Sequence, residues 1–231
     1  MEIVEKSVNP HGVPSPDDGS QVLGVFAKEP RPGMVKTRLC PPLTPRQAAD
    51  FYRVCLLETL RRVGRAGRRL VLFYAGCRDW FAEHCPGCEL RPQVEGDLGR
   101  RMAAALDSLL ESGAGAAALI GTDSPDLPLP LIDRAFAALA AHDAVTIPAD
   151  DGGYVLIGCR RPCPQLFADI PWSSDQVLAL TRRRATDAGL SYTEIDCWQD
   201  LDDAAALCRL LARSPDGEAA RYLRRIRPDL A

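Results

Sequence analysis

The sequence predicts an α/β fold of three layers, in which a largely parallel sheet lies between two layers of helices. Two observations support this prediction. From residue 22 onward, apolar runs of four to six residues alternate with longer amphipathic stretches, which is typical of strand–helix–strand units. No repeat and no break in composition divides residues 22–231, so we expect a single domain there.

The elements follow from this alternation in chain order. Strands are predicted at seven runs, which are 22–27, 70–75, 89–92, 116–121, 145–148, 154–158 and 192–196. Helices are predicted where apolar residues recur at helical spacing, namely at 44–65, 99–112, 130–140, 174–188 and in two stretches that begin near 203 and 215. Thr44, Pro45 and Gln47 form the capping-box pattern that starts the first helix. Gly189 suits the left-handed position that ends the fourth.

Composition and charge exclude several classes of protein. The 231 residues are 46% hydrophobic and 26% charged, which excludes a disordered chain. The formal net charge of −3 argues against binding to nucleic acid through bulk positive charge. No apolar stretch approaches the ~18 residues of a membrane span. Residues 1–21 are polar and rich in Pro, Gly and Asp, so we expect a loose leader and a cytoplasmic protein without membrane or nucleic-acid partners.

The nine cysteines do not form the pattern of a disulfide scaffold. Their number is odd, and Cys55, Cys159 and Cys208 lie within apolar periodic segments, where a thiol acts as a small hydrophobe. Cys85 and Cys88 are separated by two residues, and a zinc site there is an alternative. No second pair follows at the spacing of a zinc ribbon, so reduced thiols are the preferred interpretation.

Four segments that follow predicted strands carry the candidate functional residues, because open α/β sheets bind ligands beyond the carboxyl ends of their strands. The first, residues 28–39, contains Lys28, Lys36 and Arg38, and two of the three lysines in the chain lie there. Cations and backbone N–H groups are what a triphosphate requires. The segment is not a P-loop, because no Gly-Lys-Ser/Thr occurs. A solvated basic loop is the alternative.

The other three segments are rich in carboxylates and glycine. In residues 121–128, Asp123 stands where a strand-end carboxylate binds Mg²⁺, although an Asx turn would also place it there, and Asp126 suits a helix cap. Residues 150–154 contain paired glycines that permit close backbone approach to a ligand or merely form a hairpin turn. In residues 196–203 one carboxylate is expected to cap a helix and another to be free for a metal.

Six short motifs occur in a distinctive order between residues 22 and 211. They are Phe26-Ala27-Lys28 with Pro30, Pro32-Gly33 and Val35-Lys36-Thr37-Arg38-Leu39; Gly96-Asp97-Leu98-Gly99 with Arg101-Met102; Gly121-Thr122-Asp123-Ser124-Pro125; Asp150-Asp151-Gly152-Gly153-Tyr154; Pro171-Trp172-Ser173; and Asp200-Leu201-Asp202. With these motifs the chain resembles an uncharacterised bacterial family of GT-A-like nucleotide-diphospho-sugar transferases. It departs at Arg100, where Glu is usual, and at Ser174 and Asp203, where Thr is expected. The first motif is also similar to the loop of 2-phospholactate guanylyltransferase and, loosely, of molybdenum cofactor guanylyltransferase.

The resemblance implies a Rossmann-like GT-A sandwich with a mixed sheet and a set of site residues. One Mg²⁺ or Mn²⁺ would be held by Asp123 and Asp202, with Lys36, Arg38 and Asp123 as the catalytic set. The expected nucleotide-binding residues are Phe26, Ala27, Lys28, Gly33, Lys36, Thr37, Arg38, Asp97, Arg101 and Thr122. The expected acceptor-binding residues are Asp151, Gly152, Gly153, Tyr154, Trp172, Ser173 and Asp175.

The leading hypothesis is a magnesium-dependent nucleotidyltransferase that joins a nucleoside triphosphate to a small phosphate- or phosphonate-bearing acceptor and releases pyrophosphate. In this hypothesis Lys36 and Arg38 hold the β- and γ-phosphates. The alternative is a GT-A glycosyltransferase that uses a nucleotide sugar, as in arsenosugar-type metabolism. A third hypothesis is a degenerate nucleotide-binding module without turnover. The sequence leaves the base, the acceptor and the oligomeric state open, a homodimer included.

Overall fold

Residues 21–230, which the computed structural model describes, form a seven-stranded sheet with helices on both faces. The strands are β1 (Gln21–Lys28), β2 (Arg69–Ala75), β3 (Glu89–Pro92), β4 (Ala116–Ile120), β5 (Ala144–Pro148), β6 (Tyr154–Cys159) and β7 (Tyr192–Glu194). The helices are α1 (Pro45–Gly64), α2 (Arg78–His84), α3 (Leu98–Glu111), α4 (Leu129–Ala138), α5 (Val177–Asp187), α6 (Ala204–Arg213) and α7 (Glu218–Ile226). The predicted leader over residues 1–21 lies outside the described residues, except for Gln21, the first residue of β1.

The strand order β3-β2-β1-β4-β6-β5-β7 confirms a mostly parallel mixed sheet. Strands β3, β2, β1 and β4 are parallel to one another, and β5 is parallel to β7. Strand β6 is antiparallel to both β4 and β5, since it forms a hairpin with β5. The chain moves outward from β1 to β3 and then returns to the other side of β1 for β4. Such a reversal leaves a crevice outside the carboxyl ends of β1 and β4.

Alternate residues of the central strands face two separate hydrophobic cores, which explains the three layers. Leu23 and Val25 of β1 pack in one core with side chains of α1, α2 and α4, including Leu56. Val22 faces the opposite core, which contains Leu106 of α3. Among the helices of residues 21–230, none is both long enough and apolar enough to cross a membrane.

A third hydrophobic cluster fixes the loops that reach the crevice. It joins α1, α6 and α7 to the loop after β1 and to the segment before α6. Leu39 and Leu201, which come from these two segments, are both fully buried in it. The segments that carry Lys36 and Asp202 are therefore held side by side, although they are far apart in the sequence.

The caps predicted from the sequence for α1, α5 and α6 are confirmed. Thr44 and Gln47 form the reciprocal bonds of a capping box at the start of α1. Asp203 caps α6, since its Oδ1 accepts a hydrogen bond from Ala206 N at 2.7 Å. Gly189 follows α5 with a φ of 62°, as the left-handed position requires.

Three helices differ from the prediction, and one of them is α7, which begins at Glu218 and not near residue 215. Helix α2 was not predicted, because it has seven residues and a single fully buried side chain, Phe81, which is too little for a helical period. Helix α5 begins at Val177, three residues after the predicted start at Ser174. Ser174 instead belongs to a turn, in which its Oγ donates to Pro171 O at 2.7 Å.

All nine cysteines are free thiols. Cys85 is buried in a hydrophobic core against the half-buried Cys88. Burial, followed by the proximity of Cys88, raises the pKa of Cys85 to about 11. The thiol is therefore protonated at neutral pH, and it packs as an apolar group.

Candidate active site

A cleft of about 780 Å³ opens at the carboxyl ends of β1 and β4. Its walls are the loop after β1, the start of α3, the loop after β4, the β5–β6 turn, the segment before α5 and two carboxylates of the segment before α6. Nearly all the site residues predicted from the sequence line this cleft. The exceptions are Gly33, Asp97 and Gly152.

Lys36 lies at the centre of a cluster of polar groups on the cleft floor. Its Nζ lies 2.6 Å from Asp123 Oδ1 and 3.7 Å from Asp202 Oδ1, and it donates to Leu201 O at 2.5 Å. Only 4% of the Lys36 side chain is exposed, whereas about half of Asp123 is. The two predicted metal ligands therefore share one buried cation.

This arrangement differs from the phosphate contact that the sequence suggested for Lys36. The pKa of its ammonium is raised: burial alone would lower it, and the carboxylates of Asp123 and Asp202 reverse the direction. The lysine is therefore charged and committed to the two carboxylates. Its backbone is left-handed, with φ 49° and ψ 38°, which is costly for a non-glycine residue by about 1–2 kcal/mol.

Three further basic side chains lie around this cluster and line the cleft. Arg38, which is two-thirds exposed, places Nη1 3.2 Å from Asp202 Oδ2. Lys28 is exposed at the end of β1, where its backbone N–H donates to the hydroxyl of Tyr52 at 2.9 Å. Arg101 of α3 is half-buried and donates from Nε to Gly96 O at 2.9 Å. These cations, unlike Lys36, have charge that solvent or a ligand can reach.

Asp151, Asp200 and Asp202 form a second group of carboxylates, with one oxygen of each within 4.8 Å of the others. Burial raises the pKa of Asp200 to about 6, and the charges of Asp202 and Asp151 act in the same direction. Carboxylate oxygens at this spacing are the donor set that Mg²⁺ and Mn²⁺ accept. Asp123 is not a member of this trio, and Asp202 belongs to both groups.

The backbone explains why these distant carboxylates meet. Leu201 is fully buried, and its N–H donates to Asp123 O at 2.9 Å. Because neighbouring residues of an extended segment point to opposite sides, Asp200 and Asp202 flank Leu201 on the cleft side. The alternation of Asp200, Leu201 and Asp202 was the signal that could have identified Asp200 from the sequence.

The residues predicted to bind the acceptor form the opposite wall, except for Gly152, which lies behind it against the segment before α5. Gly152, with a φ of 85°, is so close to the segment before α5 that a Cβ there would lie 2.1 Å from Asp175 O. Trp172 packs against Gly99, where a Cβ would meet the indole ring at 2.5 Å. The indole N–H of Trp172 is buried and has no hydrogen-bond partner within residues 21–230.

Some predicted residues are structural, and others that line the cleft were missed. Asp97 caps α3 by accepting a hydrogen bond from Arg100 N at 2.8 Å, which explains its absence from the cleft wall. Tyr52 and Gln93 line the cleft but were not predicted as site residues. Tyr52 was assigned only to the inner face of a helix, and Gln93 follows a short edge strand without any motif.

Comparison with known proteins identifies the family. The model of a family described as an uncharacterized protein conserved in bacteria (DUF2064) matches residues 58–174. The chain belongs to this family. A crystal structure of a chain from Desulfovibrio desulfuricans G20, provisionally named a nucleotide-diphospho-sugar transferase, is 30% identical, with a TM-score of 0.84 over 92% of this chain and 96% of that chain. No curated protein matches at a significant level.

Two more distant structures share only the fold. One is CMP:2-keto-3-deoxy-manno-octonic acid synthetase in complex with CTP, with 12% identity and a TM-score of 0.52 over 85% of this chain and 99% of that chain. The other is Rv0371c from Mycobacterium tuberculosis H37Rv in complex with manganese, with 19% identity and a TM-score of 0.50 over 84% and 98% of the two chains. This DUF2064 protein is an enzyme of the nucleotide-diphospho-sugar transferase superfamily, and the predicted Rossmann-like GT-A sandwich is confirmed.

Proposed function

We propose that this DUF2064 protein is a divalent-metal-dependent nucleotidyltransferase that joins a nucleoside triphosphate to a phosphate- or phosphonate-bearing acceptor. One observation carries the proposal, namely that reachable cations and a group of carboxylates line the same cleft. Lys28, Arg38 and Arg101 are available to polyanions, while Asp123, Asp200 and Asp202 lie on the floor. Opposite charges side by side suit a triphosphate that binds together with a metal ion.

The carboxylates fit a hard divalent cation. Asp202 would hold Mg²⁺ or Mn²⁺ together with Asp123, as the sequence suggested, and Asp200 and Asp151 lie near enough to Asp202 to contribute. Such an ion, when bound, neutralises negative charge on phosphate oxygens. The structural neighbour from M. tuberculosis is a complex with manganese, which supports this class of ion.

The protein's own residues would then position and neutralise the reactants. Arg38 and Lys28 hold the β- and γ-phosphates, and Lys36 keeps Asp123 and Asp202 at a fixed separation. An acceptor oxygen attacks the α-phosphorus, a P–O bond forms there, and the bond to the β-phosphate breaks to release pyrophosphate. In-line displacement of this kind depends on positioning and charge neutralisation more than on a protein nucleophile.

The opposite wall would bind the acceptor. Asp151, Gly153, Tyr154, Ser173 and Asp175 line it together with the indole of Trp172. Close packing of Gly152 on Asp175 keeps this wall in place.

The second candidate is glycosyl transfer from a nucleotide sugar. The name of the structure from D. desulfuricans favours it, and the same carboxylates would hold the metal ion. The two reactions differ in their products, because nucleotidyl transfer releases pyrophosphate and glycosyl transfer releases a nucleoside diphosphate.

The deciding experiment incubates the protein with Mn²⁺ or Mg²⁺, each nucleoside triphosphate or nucleotide sugar, and a panel of phosphorylated acceptors. We expect pyrophosphate from one triphosphate and a decrease of about a hundredfold or more in Asp123→Asn, which lacks the carboxylate charge. The matched control is Asp133→Asn, which removes an exposed carboxylate of α4 that pairs with Arg68. Release of nucleoside diphosphate from a nucleotide sugar, without pyrophosphate from any triphosphate, would instead establish the glycosyltransferase.

A further inference from the structure

The two loops that bring the carboxylates together are joined behind the cleft by one side chain, Arg213, at the end of α6. Its guanidinium contacts both carboxylate oxygens of Asp126, in the loop after β4, with Nη2 3.1 Å from Oδ1. Its Nη1 donates to Gln199 Oε1 at 3.0 Å, in the segment before α6. The guanidinium also lies over the ring of Trp198, 4.6 Å from its centre.

These contacts lie next to Asp123, Asp200 and Asp202 in the chain, although Arg213 touches none of these three carboxylates. Asp126 follows Asp123 by three residues, and Gln199 directly precedes Asp200. Only 5% of the Asp126 side chain is exposed, and Arg213 is the cation that pairs with this buried carboxylate. The sequence suggested that Asp126 caps α4, but the N-cap position is Pro128, without a side-chain hydrogen bond, and the carboxylate is taken by Arg213.

Two further hydrogen bonds, both involving the backbone, join the same two loops. Ser124 Oγ donates to Gln199 O at 3.1 Å, and Leu201 N donates to Asp123 O at 2.9 Å. These bonds form only if the loops are held in register, because each segment lacks regular secondary structure there. Arginine suits the task, since its planar fork can donate to a carboxylate and an amide in one plane, whereas a lysine ammonium is a single point.

We propose that Arg213 is a positioning residue that sets the separation between Asp123 and the pair Asp200 and Asp202. The proposal rests on the proposed role of these carboxylates as metal ligands. Arg213 acts through Asp126 and Gln199 and does not contact substrate or metal itself. Groups that hydrogen-bond a metal ligand directly typically change metal affinity by about 10- to 100-fold when they are substituted. Arg213 lies one layer farther out, so its effect is expected at the lower end of this range.

Four variants of the full chain, one of them a control, test the proposal. Arg213→Met removes the whole connection. Gln199→Ala removes the contact of Arg213 with the second loop, together with the hydrogen bond between Gln199 and Asp150. It leaves the buried pair of Arg213 and Asp126, so it remains informative if the first variant fails to fold. The matched control is Arg209→Met, since Arg209 lies one turn earlier on α6, forms an ion pair with Asp203 at 3.6 Å and does not contact Asp126 or Gln199. Arg213→Lys tests rescue by charge alone.

Two measurements are made on each variant. Hydrogen exchange in metal-free protein reports the protection of residues 121–127 and 196–203, and titration with Mn²⁺ alone reports metal affinity. We expect Arg213→Met and Gln199→Ala to lose protection in both loops and to bind Mn²⁺ about tenfold or more weakly. We expect Arg209→Met to match the parent, and Arg213→Lys to lie between the parent and Arg213→Met.

Parent-like loop protection in both Arg213→Met and Gln199→Ala would overturn the proposal. Equal losses in Arg209→Met would also overturn it, since the effect would then belong to α6 in general. If the parent itself binds no Mn²⁺, the proposed metal site fails, while hydrogen exchange in the metal-free protein still decides whether Arg213 joins the loops.

Discussion

At Lys36 two opposing effects act on the same ammonium group. Burial disfavours its charge, and two carboxylates within 4 Å favour it; the direction of its pKa shows that the carboxylates prevail. Lys36 therefore acts on the carboxylates of Asp123 and Asp202 as a bound metal cation would. It reduces their mutual repulsion and fixes their separation.

This balance predicts the behaviour of Lys36→Met. Loss of the buried cation leaves the carboxylates to repel one another, so the free energy of unfolding should decrease by about 1–3 kcal/mol. Mn²⁺ binding without nucleotide should become severalfold tighter, because the site gains net negative charge. Thermal unfolding and calorimetric titration measure the two effects.

Lys28→Met provides the contrast, since Lys28 is an exposed lysine of the same cleft. It should leave the melting temperature unchanged and weaken the binding of a nucleoside triphosphate. A melting temperature of Lys36→Met equal to that of the parent would show that the buried ion pairs contribute nothing to stability.

Among the elements, the β5–β6 hairpin supports the acceptor wall through its turn. Gly152 has a left-handed backbone, and its O accepts a hydrogen bond from Leu178 N of α5 at 2.8 Å. The absence of a side chain at Gly152 allows the turn to lie directly against Asp175. Glycine is required here for both its backbone angles and its size.

The two requirements can be separated by substitution. Gly152→Ala should destabilise the protein by about 1–3 kcal/mol more than Gly67→Ala, as expected of overpacking. Gly67 has nearly the same positive φ, 76°, but nothing lies within 4 Å of an added Cβ, so Gly67→Ala measures backbone strain alone. Denaturant unfolding compares the two. Equal losses of stability would mean that the turn moves away from Asp175 without penalty.

The elements also show what the sequence could predict and what it could not. Strand β3 was predicted with its observed bounds, and α1 was predicted from its capping box, because local propensity and tertiary packing agree there. Helix α5 starts late because the turn of Ser174 depends on a contact with Pro171 that no helical period reveals. At the site, Asp123 and Asp202 could be proposed from strand-end positions and motifs. The role of Lys36 could not, since its burial depends on Leu201, which is 165 residues away in the chain.

For the molecule as a whole, the charges within the cleft bear more on the binding of a triphosphate than the net charge does. The net charge of −3 would weakly repel a polyanion. The reversal of strand order between β1 and β4 nevertheless gathers Lys28, Arg38 and Arg101 around one cleft, next to the carboxylates. A triphosphate without a metal ion would be attracted by these cations and repelled by the carboxylates. Its binding should therefore depend on a divalent cation that neutralises the carboxylates.

Ligand-induced stabilisation tests this dependence on the full chain. A ligand present at 100 times its dissociation constant stabilises the folded state by about 2.7 kcal/mol, and each kcal/mol raises the melting temperature of a protein of this size by about 2–4 °C. We therefore expect Mn²⁺ and the cognate nucleoside triphosphate together to raise it by about 5–11 °C. Either ligand alone, or Mn²⁺ with a nucleoside monophosphate, should have a much smaller effect, since the β- and γ-phosphates carry the charge that Arg38 and Lys28 bind. An equal rise in melting temperature with the triphosphate in the absence of any divalent cation would contradict the coupling of nucleotide and metal. A large rise with a nucleotide sugar, but with no triphosphate, would identify a glycosyl donor site.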